Sequence, residues 1–402
     1  MLAMSALMKW LPALASVWLL ASCSIVPPDY QDSRFAPNDF TFPPPATNAP
    51  REPLPVVVVP PPVVIPPTPV VPTNPPAPPA LVSLPKPTPP PPRFELPPAE
   101  WVSVLDVARF LGTGPPVETP DTNSPNYAFT GAKGRFTVNA DRGQAEWNGI
   151  NITLGFHPRL VEGQTYLNAL EVRKTLDPLF APTWPSHQIK ILVLDPGHGG
   201  PTNTGARSIL DQSFEKEYTL DWAKRAKPLL ERQGWTVFLT RTQDVELSLA
   251  ERVAFADRVH ADLFVSLHFN SRTLPAPADH GGVETYFTTP TGMPSNLILY
   301  PPDDTTMNYP NNAFDSENLQ LAVRLHEAVL RATGQRDRGV KRARFMGVLR
   351  GQTRPAVLVE AAYLSDPKEA ILIQAAEYRQ RLAEALANGL APLQAQCCEA
   401  AQ

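Results

Sequence analysis

The chain has 402 residues, 50 of them proline and only three cysteine, with a formal net charge of −4. That length allows more than one domain. The charge leaves no basic footprint for nucleic acid, and three cysteines cannot build the disulfide framework of a small exported scaffold.

The first element in chain order is MKWLPALASVWLLASCS, Met8 to Ser24. Lys9 supplies a positive start and Leu11 to Leu20 an apolar run too short for a membrane span, so 1–22 reads as a signal peptide. Leu20-Ala21-Ser22-Cys23 resembles a bacterial lipobox. The resemblance implies lipidation of Cys23, a membrane anchor at that residue and a place in the cell envelope. Ser24 is similar to the sorting residue of outer-membrane lipoproteins, which implies a chain facing the periplasm. The plainer alternative is an ordinary secretory signal.

Residues 23–98 follow as a linker, with 25 prolines between 41 and 98. Each proline lacks an amide donor and has φ fixed, so helix and sheet ladders are excluded. The expected state is disordered or extended polyproline II, a spacer rising about 3.1 Å per residue. A ligand for a proline-binding module is the competing reading.

Periodicity returns over 99–180. Trp101, Val104, Leu105, Val107, Ala108 and Leu111 fit one helical face ended by Gly112. Alternating stretches at 135–138, 145–147 and 150–154 predict a small antiparallel sheet, and 168–179 a last helical patch. This is a small α+β domain near the size limit for independent stability. It resembles the small domain at the N-terminus of copper amine oxidases, and its expected role is binding or spacing.

From 188 to 393 strand and helix signals alternate, which predicts an α/β fold with a twisted, mainly parallel sheet flanked by helices. Strands are expected at Ile189–Asp195, Trp235–Arg241, Asp262–His268, Gly282–Thr288, Arg344–Leu349 and Pro355–Glu360. Helices are expected at Ser213–Gln233, Ser248–Val259, Ser316–Ala332 and Pro367–Leu390. The residues 290–312 form a long connection without periodicity, and 394–402, with Cys397 and Cys398, reads as a disordered tail.

Open α/β sheets bind ligands beyond the carboxyl ends of their strands. There the sequence places His198, His268 and Glu360, with Glu215 in the first turn of the helix after the glycine loop. Each has a bland explanation: a hydrogen-bonded structural histidine, a carboxylate at a helix N-terminus, a rim glutamate. Their convergence on one crevice would instead suit a metal, since a His/Glu/His set with an open fourth position is what catalytic zinc needs. An unligated carboxylate beside it would accept a proton from water.

The blocks LDPGHGG, FEKEYTL, VFLTR, ADLFVSLHFN, DRGVKRARFMGVLR and PAVLVEAAYLSDPKE, in this order, resemble the signature of zinc-dependent N-acetylmuramoyl-L-alanine amidases, the amidase_3 family. The resemblance covers 189–391. It implies one zinc ion per chain held by His198, Glu215 and His268, and Glu360 as the catalytic glutamate. It also implies a peptidoglycan substrate, cut between the lactyl group of N-acetylmuramic acid and L-alanine. Glu217 competes with Glu215 but points to another helix face. Asp195 and Asn270 are expected to shape loops, and His260, His280 and His326 match no ligand block. Gly199 and Gly200 are expected to leave room for a bulky glycopeptide. Two other readings stand beside this one: a silent peptidoglycan-binding lipoprotein that recruits hydrolases, and a zinc peptidase cutting within the stem peptide. The 290–312 segment is expected either to line the substrate side or to gate the site until a protein activator displaces it.

Overall fold

A computed structural model describes residues 94–97, 100–119, 124–181, 189–273, 280–297 and 303–399. The signal peptide, Cys23 and the proline-rich linker lie outside the described residues, so the expectations placed on them are neither met nor denied.

In chain order the first segment holds β1 (Trp101–Ser103), α1 (Val104–Leu111), β2 (Val117–Thr119), β3 (Asn126–Gly131), β4 (Gly134–Asn139), β5 (Gln144–Trp147), β6 (Ile150–Thr153), β7 (Arg159–Val161) and β8 (Gln164–Asn168). It closes with α2 (Ala169–Glu171), a π-helical turn at Val172–Leu176 and α3 (Asp177–Phe180). The predicted first helix begins three residues late. Ser103 caps α1 by accepting the Asp106 amide, so Trp101–Ser103 is left extended as a strand. Gly112 ends the helix at φ 68°, a conformation glycine adopts without penalty.

The second segment runs β9 (Ile191–Pro196), α4 (Glu215–Arg232), β10 (Thr236–Leu239), α5 (Leu249–Arg258), β11 (Leu263–Asn270), β12 (Val283–Phe287), α6 (Asp315–Thr333), β13 (Asp337–Arg342), α7 (Gly347–Arg350), β14 (Ala356–Tyr363), α8 (Pro367–Gln374) and α9 (Ala376–Glu399). Helix α4 passes through Pro228 without a break. The predicted helix Pro367–Leu390 is two helices, because Ala375 takes an extended ψ of 126°.

One strand expectation fails. Arg344–Leu349 is not a strand: the backbone closes into α7 there, and the pairing strand is Asp337–Arg342. DRGVKR hides its strand character because Val340 is its single aliphatic residue; its other face carries Lys341 and Arg338, which pair with a buried glutamate. An apolar-run criterion passes over such a strand.

Among the described residues, eleven strands form one mixed sheet in the order β10-β9-β11-β14-β12-β13-β6-β5-β4-β3-β2, and β1-β8-β7 form a second. Pairs β10–β9, β9–β11, β11–β14 and β12–β13 are parallel, and β14–β12 is antiparallel. The first segment enters the same sheet where β6 lies parallel to β13, Val340 opposite Ile152. The two segments also share one hydrophobic core, which joins Phe129, Ile152 and Val172 to Leu319, Leu325 and Val359. At this seam Arg342, fully buried, donates to Glu171 at 2.8 Å, and the Glu171 carboxylate also accepts the amides of Gly155 and Phe156.

Period-two alternation sorts the central strands. Leu192, Leu194, Val265, Leu267, Val357 and Val359 face the larger core, together with Trp222 of α4 and Leu325 of α6. Val193, Phe264, Tyr286, Ala356 and Leu358 face a smaller core with Ala256, Val348 and Leu349. Continued past this core, that second face turns polar: Asp195, Ser266, His268 and Glu360 keep its parity toward the carboxyl ends of their strands, and Glu284 keeps it toward the amino end of antiparallel β12.

Candidate metal centre

His198 sits just past β9, at φ 62°. A non-glycine residue in this region is uncommon and costs energy, so the surroundings must hold it there. Two buried arginines do so. Arg241 donates to the carbonyls of Pro196 (2.9 Å), Gly197 (2.8 Å) and Lys216 (2.8 Å). Arg252 donates to those of Pro196 (3.1 Å) and His198 (2.8 Å) and pairs with Asp195 at 2.6 Å. Asp195 also accepts from Thr240 and Ser266. Burial opposes its ionisation, yet the Arg252 charge and these bonds hold its carboxyl below the usual range. Asp195 thus braces the loop, with both carboxylate oxygens engaged.

Glu215 opens α4, where the unpaired amides of the first turn favour a carboxylate. Its Oε2 lies 3.1 Å from His198 Nε2 and accepts the Ala206 amide at 2.9 Å. Its Oε1 lies 2.9 Å from His268 Nδ1 and accepts the Phe269 amide at 2.9 Å. Burial works to raise its pKa, but the two imidazoles outweigh burial and hold the carboxyl far below its ordinary value. Asn203 Oδ1, 2.6 Å from His198 Nδ1, accepts a hydrogen bond from that nitrogen and so favours the tautomer that leaves Nε2 a lone pair.

Ligand atoms of His198, Glu215 and His268 all lie within 4.8 Å of one another. Two imidazole nitrogens and one ionised carboxylate at that spacing fit a divalent metal of zinc type, with the outer nitrogen of His198 already oriented. Glycine clears the ground for this set. A Cβ at Gly197 would overlap the His268 ring, and one at Gly205 would stand 2.6 Å from Glu215 Oε2 and 2.7 Å from His198 Cδ2.

Glu360 is the direct register neighbour of His268 across the parallel β11–β14 pair. Their side chains therefore leave the sheet on the same face, about one strand spacing (~4.8 Å) apart. Glu360 is buried, 7% exposed. Glu217 is exposed and His326 is buried between Thr285 and Asp337, away from the cluster. His280 binds Ser365, and His260 follows α5. Asn270 holds the Glu284 carboxylate at 3.0 Å.

The role expected of Gly199 and Gly200 is corrected. A Cβ at Gly199 would run into the Val245 carbonyl and Arg241, and one at Gly200 into Glu246. These glycines admit the 241–246 loop of the protein itself, with Asp244 accepting the Gly200 amide at 2.7 Å. Arg241, Arg252, Asn203 and Glu284 were not singled out in the sequence. An arginine in a helix pattern and an asparagine in a loop carry no periodic signal, and only the threonine-arginine ending of VFLTR hinted at one of them.

The profile of the Amidase_3 family, N-acetylmuramoyl-L-alanine amidase, matches residues 192–392, half of the chain. The amidase LytC of Bacillus subtilis is 35% identical over 200 residues, 49% of this chain and 34% of LytC. The amidase AmiC of Neisseria meningitidis is 31% identical over 50% of this chain and 51% of AmiC. The catalytic domain of CwlV from Bacillus (Paenibacillus) polymyxa is 30% identical, covering 50% of this chain and 96% of that one, at a TM-score of 0.41. The chain thus spans only about a third to a half of LytC and AmiC.

Proposed function

The chain belongs to the Amidase_3 family of N-acetylmuramoyl-L-alanine amidases, and on that premise we propose that it hydrolyses the amide between the lactyl group of N-acetylmuramic acid and L-alanine in peptidoglycan. The observation that carries this reading is the register of one face: His268 with Glu360 beside it, and His198 and Glu215 closing within 4.8 Å.

His198 Nε2, Glu215 and His268 Nδ1 would hold one zinc ion. Its chemistry when bound is Lewis acidity, which polarises the amide carbonyl and makes water acidic enough to lose a proton near neutral pH. Glu360 accepts that proton on its carboxylate as the water oxygen adds to the carbonyl carbon. It then delivers the proton to the nitrogen as the C–N bond breaks, so water ends divided between the lactyl acid and the free amine of L-alanine. Arg241 and Arg252 keep His198 at its unusual φ throughout, and Asn203 keeps its tautomer. Purified sacculi treated with zinc-loaded protein should yield peptides with free N-terminal L-alanine and glycan with intact lactyl acid. Cuts within the stem peptide would identify a peptidase instead, and binding without any release a silent recruiter.

The reading extends to place and control. Lipidation at Cys23 would tether the protein to the outer membrane with the linker as spacer, facing the wall from the periplasmic side. A Cys23→Ser chain should then move from the membrane fraction to the soluble one. For an activator acting on 290–312, the handle is Asp303, which pairs with Arg344 and accepts the Ser295 amide, while Arg344 also donates to the Pro290 and Met293 carbonyls. Asp303→Asn should raise basal release if that anchor restrains the enzyme. Unchanged release would remove gating and leave an ordinary loop.

A further inference from the structure

The register row on the site face does not end at Glu360. Glu284 stands opposite Glu360 across the antiparallel β14–β12 pair and is 2% exposed. Its Oε1 accepts from Arg338 Nε at 2.8 Å and from Lys341 Nζ at 2.6 Å. Its Oε2 accepts from Asn270 Nδ2 at 3.0 Å and from the Tyr286 hydroxyl at 2.7 Å. Burial resists ionisation, but the two cations bring its pKa down to about 2.

Two cations therefore share one carboxylate oxygen, and Glu360, the register neighbour of Glu284, is the second anion beside them. What they keep for a ligand is donors rather than net charge, since an ammonium has three N–H groups and a guanidinium five, and these are placed where a ligand could meet them. The side chains of Arg338 and Lys341 are each 16% exposed, whereas Arg241 and Arg252 are 2% exposed and hold backbone carbonyls. Glu284 is the one acceptor found for Lys341 Nζ among the described residues. The Arg338 guanidinium lies 5.3 Å over the Tyr363 ring, which fixes the plane of its fork.

We propose that Arg338 and Lys341 form a subsite for a substrate carboxylate, on the side of Glu360 away from His268. The group it takes is the free carboxylate of the acidic residue that follows L-alanine in the stem peptide. This rests on the amidase reading above. Glu284 lies two strand spacings from His268, roughly 10 Å. An extended peptide advances about 3.5 Å per residue, so the second residue's carboxylate falls roughly 7 Å from the scissile nitrogen, within reach of the two cations. The polarity also agrees: Glu360 lies between metal ligands and cations, where the departing amine needs its proton. A planar guanidinium beside an ammonium suits a carboxylate and discriminates against a neutral amide in its place.

The test uses the zinc-loaded full chain and two muropeptides that differ only at that residue, one with a free carboxylate and one with a carboxamide. Wild type should favour the carboxylate in kcat/KM on the order of tenfold, mostly through KM. Arg338→Gln should bring the ratio toward one. Glu284→Gln, which removes the compensating anion and keeps both cations, should raise it, a change that a merely structural role would not produce. Equal wild-type kcat/KM on both substrates overturns the subsite and leaves the amidase reading standing. If neither substrate is cut, the amidase reading fails, and calorimetric titration of wild type with the free and amidated peptides decides the subsite alone. Equal affinities there overturn it.

Discussion

Two pairs of buried arginines hold two different regions of one sheet. At the carboxyl ends of β9 and β10, Arg241 and Arg252 spend their donors on carbonyls within a few residues of a candidate ligand: Pro196, Gly197, His198. Elsewhere, Arg342 reaches Glu171 and Thr175 across the seam between the two chain segments, and Arg344 reaches Asp303, Pro290 and Met293 within the second. The first pair fixes the angle of a single side chain. The second joins stretches of chain up to 189 positions apart. Burial and charge are the same in both places, so the residue type does not reveal the role; what the guanidinium is bonded to does.

The sharpest way to separate chemistry from bracing is Glu360→Gln, which touches neither arginine pair. Release of stem peptides from sacculi should fall by about 10²–10⁴-fold, the range of a general base, with zinc content and melting temperature unchanged. A loss of zinc in that variant would show that Glu360 belongs to the ligand set instead.

Arg252→Met and Arg342→Met break the comparison directly. Each leaves a buried carboxylate, Asp195 or Glu171, without its cation, which costs about 3–5 kcal/mol. The denaturation midpoint should drop in both. Only Arg252→Met should also weaken zinc binding, by roughly 10–100-fold as for other outer supports of a metal ligand. Equal zinc affinities in the two variants would erase the distinction between ligand brace and seam.

The smallest effect concerns Glu369, which accepts the Tyr363 amide at 2.6 Å at the carboxyl end of β14. Burial pushes its pKa up to about 7. A carboxyl raised in the folded state keeps its proton while the unfolded chain has already released it. Stability should therefore decline as pH rises from about 4.5 to 7, by roughly 1–3 kcal/mol from this residue. Glu369→Gln should flatten that decline in urea titrations at pH 5 and pH 7; an unaltered slope would assign it to another group.

The candidate site was legible because its residues sit where strands end. The apolar runs before His268 and Glu360 are long enough to announce buried strands, and a parallel pairing then puts both side chains on one face by parity alone. Glu284 is the second residue of a short strand and looks like an ordinary polar position until β12 is known to run antiparallel to β14. The strand Asp337–Arg342 was misplaced for a related reason, since its charged residues answer a buried glutamate that only the fold brings near. Similarly, the 99–180 segment carries its own strand and helix pattern, and no local feature of Ile150–Thr153 says that it will pair with Val340.

Sequence alone set most of the order of elements, though not the strand at Asp337–Arg342, the exported character expected of the N-terminus, and the choice of four residues whose types suit metal-assisted hydrolysis. Those follow from local periodicity and from residue chemistry. Tertiary structure decided the rest: that His198 is held at positive φ by Arg241 and Arg252, that Gly199 and Gly200 make room for the protein's own loop, and that both segments share one sheet and one core. Each of these depends on which distant groups meet. Contact between residues 40 to 190 positions apart is set by strand register and burial, which no short stretch of chain encodes by itself.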